Sequence, residues 1–270
     1  MNSFPSPFLR ALKDDKYSKG ESDFSCTQIL GPPQRTWLAT MHERDESPYG
    51  SFMALLGTAV HNILEEYCHE DEGEMAEERY FIKVQGHVLS GQLDFYENKT
   101  VFDYKVYGGE IEEAKPDHIL QVQVNGRLAE LNGIEVHSVA IVYVLRDWSY
   151  MRSRVNPKYA QTPFKIFVFP YNGELAEKTI QERVALHIEA IKGSPHLCTA
   201  DEQWRKPDTW AVKKPDAKRA SRVYESLEEA ESNLKAGQII ETRKGEAVFC
   251  RFFCGFAAHC PQHIRETNEQ

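Results

Sequence analysis

Asp94, Asp103 and Lys105 lie within one short stretch, residues 90–105, SGQLDFYENKTVFDYK. It reads as two strands joined by a tight turn. Side chains alternate faces along a strand. Gln92, Asp94 and Tyr96 therefore share one face of the first strand, and Asp103 and Lys105 share one face of the second. With Asn98-Lys99 as a two-residue loop, Asp94 stands directly opposite Asp103. Asn tolerates the positive φ that such a turn needs. Like charges directly opposite on a sheet repel, so the pair needs a compensating partner. A divalent cation fits, because Mg²⁺ and Mn²⁺ take carboxylate oxygens and water.

The surrounding elements must place these groups. Residues 50–68 have the clearest helical period, with Phe52, Leu55, Leu56, Ala59, Val60, Ile63, Leu64 and Tyr67 on one expected core stripe. Gly57, His61 and Glu65 form a second stripe. The missing side chain of Gly57 leaves room one turn before the His61 ring. Residues 69–78, HEDEGEMAEE, read as a solvated acidic loop with no metal role. Strands follow at about 79–86, 88–96 and 100–107. A helix over about 117–132 stops at Asn132-Gly133. Gln121 and Asn125 share one side of it and Gln123 lies on the other. An apolar strand at 137–146, a strand at 164–169 and a helix at 173–192 complete this part.

The chain has 270 residues, a formal net charge of −9 and six cysteines. That length supports one large domain with a small addition. The negative balance argues against nonspecific coating of nucleic acid, yet leaves room for an acidic metal site with local basic patches. No apolar run is long enough for a membrane span, and the first residues do not resemble a secretory signal. A reducing, cytoplasmic location is expected, where clustered cysteines suggest metal rather than disulfides. The character of the chain changes near residue 200. The expected organisation is an arm over 1–22, a core over 23–199 and a C-terminal module over 200–270 that packs back on the core.

In order, the chain offers a helix with Gly57-x-x-x-His61, a strand with Asp94, a strand with Asp103-Tyr104-Lys105, a helix with Gln121 and a strand. This succession, over about 54–146, resembles the PD-(D/E)XK nuclease superfamily and its RecB-type exonuclease branch. That branch includes iron–sulfur nucleases of CRISPR systems and of phage and bacterial recombination. The resemblance implies an α/β (α+β) fold with a restriction-endonuclease-like core, a central mixed β-sheet flanked by helices. It implies a DNA exonuclease of a bacterial or phage-infected cell, acting in recombination, repair or replication. DNA is the implied partner, delivered by a helicase, recombinase or single-strand-binding protein. By position, His61, Asp94, Asp103 and the Tyr104 carbonyl would hold Mg²⁺ or Mn²⁺. Lys105 would activate water and stabilise charge, and Gln121 would position DNA or Lys105. Gln123 is the alternative match to Gln121. Asn125 stands where the family often has Tyr, and Asp103 where the superfamily commonly has Glu. The rival reading is a nuclease-fold protein that binds DNA or a partner without cutting.

Cys250, Cys254 and Cys260 have the spacing C-x3-C-x5-C. By the resemblance, Cys26 would join them to hold a [4Fe-4S] cluster. A structural Zn²⁺ is the nearest alternative, with His259 able to replace one thiolate. Cys68 and Cys198 read as small buried residues. Basic residues at 146–158 and 205–222, among Trp148, Tyr150, Trp204 and Trp210, could guide DNA by phosphate contact and stacking.

Overall fold

The structure is a computed structural model that describes residues 6, 10–11, 19–45, 48–69 and 73–268, the side chains of 48–51 excepted. Most of the expected arm over 1–22, and residues 70–72 of the acidic stretch, lie outside the described residues. The chain divides into two compact units. The first comprises Met1–Trp37 and Glu46–Pro195, the second Leu38–Asp45 and His196–Gln270.

In chain order, the elements up to Pro195 are β1 (Phe24–Ser25), α1 (Cys26–Leu30), α2 (Pro33–Ala39), α3 (Pro48–Glu66), β2 (Met75–Ala76), β3 (Arg79–Val84), β4 (His87–Gln92), β5 (Phe95–Glu97), β6 (Thr100–Tyr107), α4 (Pro116–Leu131), β7 (Ser138–Leu145), α5 (Tyr150–Val155), β8 (Phe164–Pro170) and α6 (Gly173–Ile191). The fold is α+β. A mixed five-stranded sheet has the order β2-β5-β6-β7-β8, and a smaller sheet has the order β1-β4-β3.

In the larger sheet β6 and β7 run parallel, and α4 makes the crossover between them. β7 is a nearly continuous apolar run, as a strand covered on both faces should be. Its Val139, Ala140, Ile141 and Tyr143 have no solvent exposure. α4 begins with Pro116 and Asp117, which suit a helix start, and ends at Asn132 before Gly133 with φ of 90°. Its Val122 and Ala129 enter one core cluster, and its Val124 and Leu128 another with Phe24, Ile29, Leu89, Ile180 and Val184.

Two expectations need correction. The strand expected over 88–96 is divided into β4 and β5, which belong to different sheets. Register is unbroken across the division: Arg79 pairs with Gln92, and Met75 with Tyr96. The hairpin bends at Glu77, whose φ is 53°, and Leu93 N–H still donates to the Glu78 carbonyl at 2.8 Å. The apolar stripe of α3 is also only partly covered: Phe52, Leu55, Leu56 and Val60 are half-buried, while Ala59, Ile63, Leu64 and Tyr67 are exposed. Periodicity shows which side chains share a face, but not what covers that face.

The second unit holds β9 (Thr209–Lys213), β10 (Arg222–Tyr224), α7 (Leu227–Ser232), β11 (Ile239–Arg243), α8 (Val248–Phe252) and α9 (Pro261–Asn268). Its strands form an antiparallel sheet of order β10-β9-β11. Among the described residues, no helix of either unit is long and apolar enough to cross a membrane.

Candidate functional site

The turn that fixes the site has the expected form. Asn98 and Lys99 have φ of 48° and 60°, and Glu97 pairs with Thr100. Positive φ at both central residues is the signature of a two-residue turn matched to strand twist. Continuing that register places Asp94 opposite Asp103. The register of the preceding hairpin places Glu77 opposite Asp94, where Glu77 N–H donates to the Asp94 carbonyl at 3.3 Å. Three carboxylates thus form a row across adjacent strand segments.

Lys105 is held beside this row. Its Nζ lies 2.8 Å from Asp103 Oδ2 and donates to Asp103 Oδ1 at 3.0 Å. Asp103 itself is 1% exposed. The same Nζ donates to Gln121 Oε1 at 3.1 Å. Gln123 is committed elsewhere: its Nε2 donates to the Pro170 carbonyl at 3.0 Å, and its Oε1 accepts from Asn172 N–H at 2.8 Å. Of the two glutamines, Gln121 is the one that meets Lys105.

His61 closes the other end of the row. Its Nδ1 is 2.9 Å from Glu77 Oε1 and 3.6 Å from Asp94 Oδ1. Donor atoms of His61, Glu77 and Asp94 all lie within 4.8 Å of one another. Asp94 Oδ2 accepts the Tyr104 N–H at 2.6 Å. The hydrogen bond to Glu77 raises the proton affinity of His61, and Asp94 and the Tyr104 backbone add to the effect. Burial, then the charge on Asp103, pushes the Asp94 carboxyl up to about 7. Surplus negative charge here holds protons. Oxygen donors with one imidazole suit a divalent cation that would displace them.

This shift has a pH consequence. Folding raises the Asp94 pKa from 3.8 to about 7, so the folded state binds the proton more tightly than the unfolded state. The stabilisation is full below about pH 4 and is lost as pH rises through about 7. In EDTA, the wild type should therefore lose Tm relative to Asp94→Asn as pH rises from about 5 to 8, and Mn²⁺ should restore it. Parallel Tm curves for the two proteins would refute this.

Glu77 was not expected, because it sits in the segment read as a solvated loop without a metal role. The structure places Glu77 at the bend of the hairpin, beside His61 and Asp94, and not in a solvated loop. Glu77 Oε2 also accepts from Gln92 Nε2 at 2.6 Å, which aims the carboxylate at His61. Its positive φ is a strained conformation of the kind that clusters at functional sites. One sequence signal could have found it. Gln85-Gly86 is itself a two-residue loop, with Val84 paired to His87, and counting outward from it puts residue 77 opposite 94. We expect Glu77→Gln to weaken Mn²⁺ binding about 10–100-fold. A calorimetric titration matching wild type would remove Glu77 from the site.

His118 is a second unexpected neighbour. Tyr143 Oη accepts the Lys115 N–H at 3.0 Å and lies 2.8 Å from His118 Nδ1. Burial keeps the proton affinity of His118 low, and Lys105 lowers it further. At Gly57, an added Cβ would meet nothing within 4 Å, so no protein atom requires the glycine.

No protein-family model matches the sequence, and a search of curated proteins found no match. Three solved structures are similar to parts of the chain. SSO0001 is 19% identical with a TM-score of 0.48, over 73% of this chain and 87% of its own. A candidate exonuclease from Eubacterium rectale is 14% identical with a TM-score of 0.33, over 62% and 64%. LHK-Exo, solved in complex with dAMP, is 13% identical with a TM-score of 0.30, over 61% and 91%. All three TM-scores fall below 0.5, and what the site can do rests on its own residues.

The remaining expected residues are not members of the carboxylate row. Cys26 is buried in the first unit's core at 3% exposure, with its Sγ against Gly91. Burial pushes its thiol up to about 12. Cys250, Cys254 and Cys260 lie in the second unit with Cys198, and none of the six cysteines is in a disulfide. His259 stacks on His42 at 4.2 Å between ring centroids. Several expected DNA-guiding cations are internally paired, including Arg205 with Glu266 and Lys213 with Glu241. Lys214, Lys218 and Arg219, between β9 and β10, are exposed.

Proposed function

We propose that the chain is a divalent-metal-dependent deoxyribonuclease, an exonuclease of RecB type that hydrolyses phosphodiester bonds in phage or bacterial recombination, repair or replication. The observation that carries this reading is a lysine braced by Asp103 and Gln121 beside a row of carboxylates that ends in His61. His61, Glu77, Asp94, Asp103 and the Tyr104 carbonyl would hold Mg²⁺ or Mn²⁺. Such an ion supplies Lewis acidity at the scissile phosphate and for the attacking water and leaving oxygen. Lys105 places a positive charge where negative charge develops at phosphorus. Gln121 fixes the direction of that ammonium group, and the exposed cations near β9 contact the DNA backbone.

The test is digestion of end-labelled linear DNA and of closed circular DNA in Mn²⁺, in Mg²⁺ and in EDTA. The expected result is loss of the linear substrate with either metal, survival of the circle, and no reaction in EDTA. Cleavage that persists in EDTA would overturn metal dependence. DNA binding without cleavage under any condition would favour the non-cutting rival.

A further inference from the structure

Hydrogen bonds within the second unit draw a fourth cysteine, Cys198, toward the segments that carry Cys250 and Cys260. Three lines of stitching fix Cys198 within the second unit. Gln262, two residues after Cys260, accepts the Cys198 N–H at 2.8 Å and returns its Nε2 to the Cys198 carbonyl at 2.9 Å. Five residues past Cys198, the Gln203 carbonyl accepts the N–H of Phe249, the neighbour of Cys250, at 2.9 Å. Further along, Arg205 bridges to Ala247. The segment carrying Cys198 is thus bound to the residues beside Cys250 at one end and beside Cys260 at the other.

The other three thiols belong to one compact turn. Cys250 lies on α8, and the Cys254 N–H donates to the Phe249 carbonyl at 2.9 Å. The Cys254 carbonyl accepts from Ala257 at 3.1 Å, and the Ala257 carbonyl accepts from Cys260 at 3.2 Å. Cys250 and Cys260 are buried. Cys26 differs in its packing. A Cβ at Gly91 would come within 2.7 Å of its sulfur, with Asn125 and Leu128 closing the same space at 2.9 Å. Its sulfur fills a packed interior.

We propose that Cys198, Cys250, Cys254 and Cys260 hold one thiolate-ligated metal centre built entirely within the second unit, and that Cys26 is a packing residue with no part in it. Electrostatics agree with this grouping. Burial pushes the Cys198 thiol up to about 12, and Glu202, Cys250, Cys260 and Cys254 add to the effect. Burial likewise pushes Cys250 up to about 11, with Cys254 and Cys260 next in effect. Such a group is costly to ionise without a cation, and a metal draws off each thiol proton as it binds. The second unit also has reason to use one. Its buried apolar residues are mostly small, among them Ala211, Val212, Ala230 and Ala247. Small units with thin cores commonly depend on a structural metal.

The test uses the full chain, purified anaerobically, with iron, acid-labile sulfide and zinc measured alongside absorbance. Iron with sulfide identifies a cluster, and zinc alone identifies a mononuclear site; either supports the proposal. Cys198→Ser and Cys254→Ser should lose the metal, while Cys26→Ser keeps it. Because a ligand variant can fail to fold, the wild type is also alkylated with and without chelator. Mass spectrometry should show Cys198, Cys250, Cys254 and Cys260 becoming reactive together on chelation, with Cys26 still protected. A metal-free wild type, or metal that survives Cys198→Ser and is lost in Cys26→Ser, would overturn the proposal. None of these readouts depends on nuclease activity.

Discussion

Replacing Lys105 with alanine should lower Mn²⁺-dependent DNA cleavage by about 10²–10³-fold, the usual loss when one preorganised charge-stabilising group is removed. Mn²⁺ binding should survive and tighten, because the ammonium group that repels a nearby cation is gone. Asp103→Asn should behave differently. It removes a carboxylate that is 1% exposed and faces both Lys105 and Asp94, so metal affinity and cleavage should fall together. Calorimetric Mn²⁺ titration beside single-turnover cleavage separates the two cases. If Lys105→Ala lost Mn²⁺ binding as completely as Asp103→Asn, the lysine would be holding the site together rather than stabilising charge. Lys105→Arg should not rescue activity, since a planar guanidinium cannot fit the point-charge position between Asp103 and Gln121.

Gly91→Ala should lower the stability of the first unit's core. This glycine lies on β4, and its missing side chain is what lets three groups converge. An added Cβ would approach Cys26 Sγ to 2.7 Å, and Asn125 Oδ1 and Leu128 Cδ2 to 2.9 Å. Those atoms belong to a packed core and to α4, so they cannot retreat cheaply. Overpacking of this kind costs about 1–3 kcal/mol, which lowers Tm by about 2–4 °C for each kcal/mol in a domain of this size. Adding Cys26→Ala to Gly91→Ala removes the nearest obstacle and should recover part of the loss, a non-additivity expected only of residues in contact. An unchanged Tm for the single variant, or strict additivity in the pair, would show that Cys26 and Gly91 do not share that space.

The local parts of the site were legible in the sequence. Asn98-Lys99 announced a two-residue turn. A period of two then placed Asp94 opposite Asp103, with Lys105 on the same side, and the observed pairing follows that register. Gln121 was half legible. Helical spacing separated it from Gln123, but only the contact with Lys105 shows which one reaches the site. These inferences held because they needed only backbone geometry over a few residues.

What failed needed knowledge of distant neighbours. The α3 stripe was visible, but its solvent exposure was not, since periodicity carries no information about what another segment will cover. Glu77 was hidden in a run of acids until the bend in the hairpin turned it toward His61. The cysteines make the same point most sharply. Sequence alone grouped Cys250, Cys254 and Cys260 by their spacing, and nothing in that spacing could select a fourth. Side-chain bonds between distant segments, such as Gln262 to Cys198 across 64 positions, bring Cys198 to the segment that carries Cys260, while Cys26 packs in the core of the first unit. Sequence determined the turn, the register and the chemistry of the side chains. Tertiary structure decided which of those side chains meet, because long-range packing and hydrogen bonding, not local propensity, set their final neighbours.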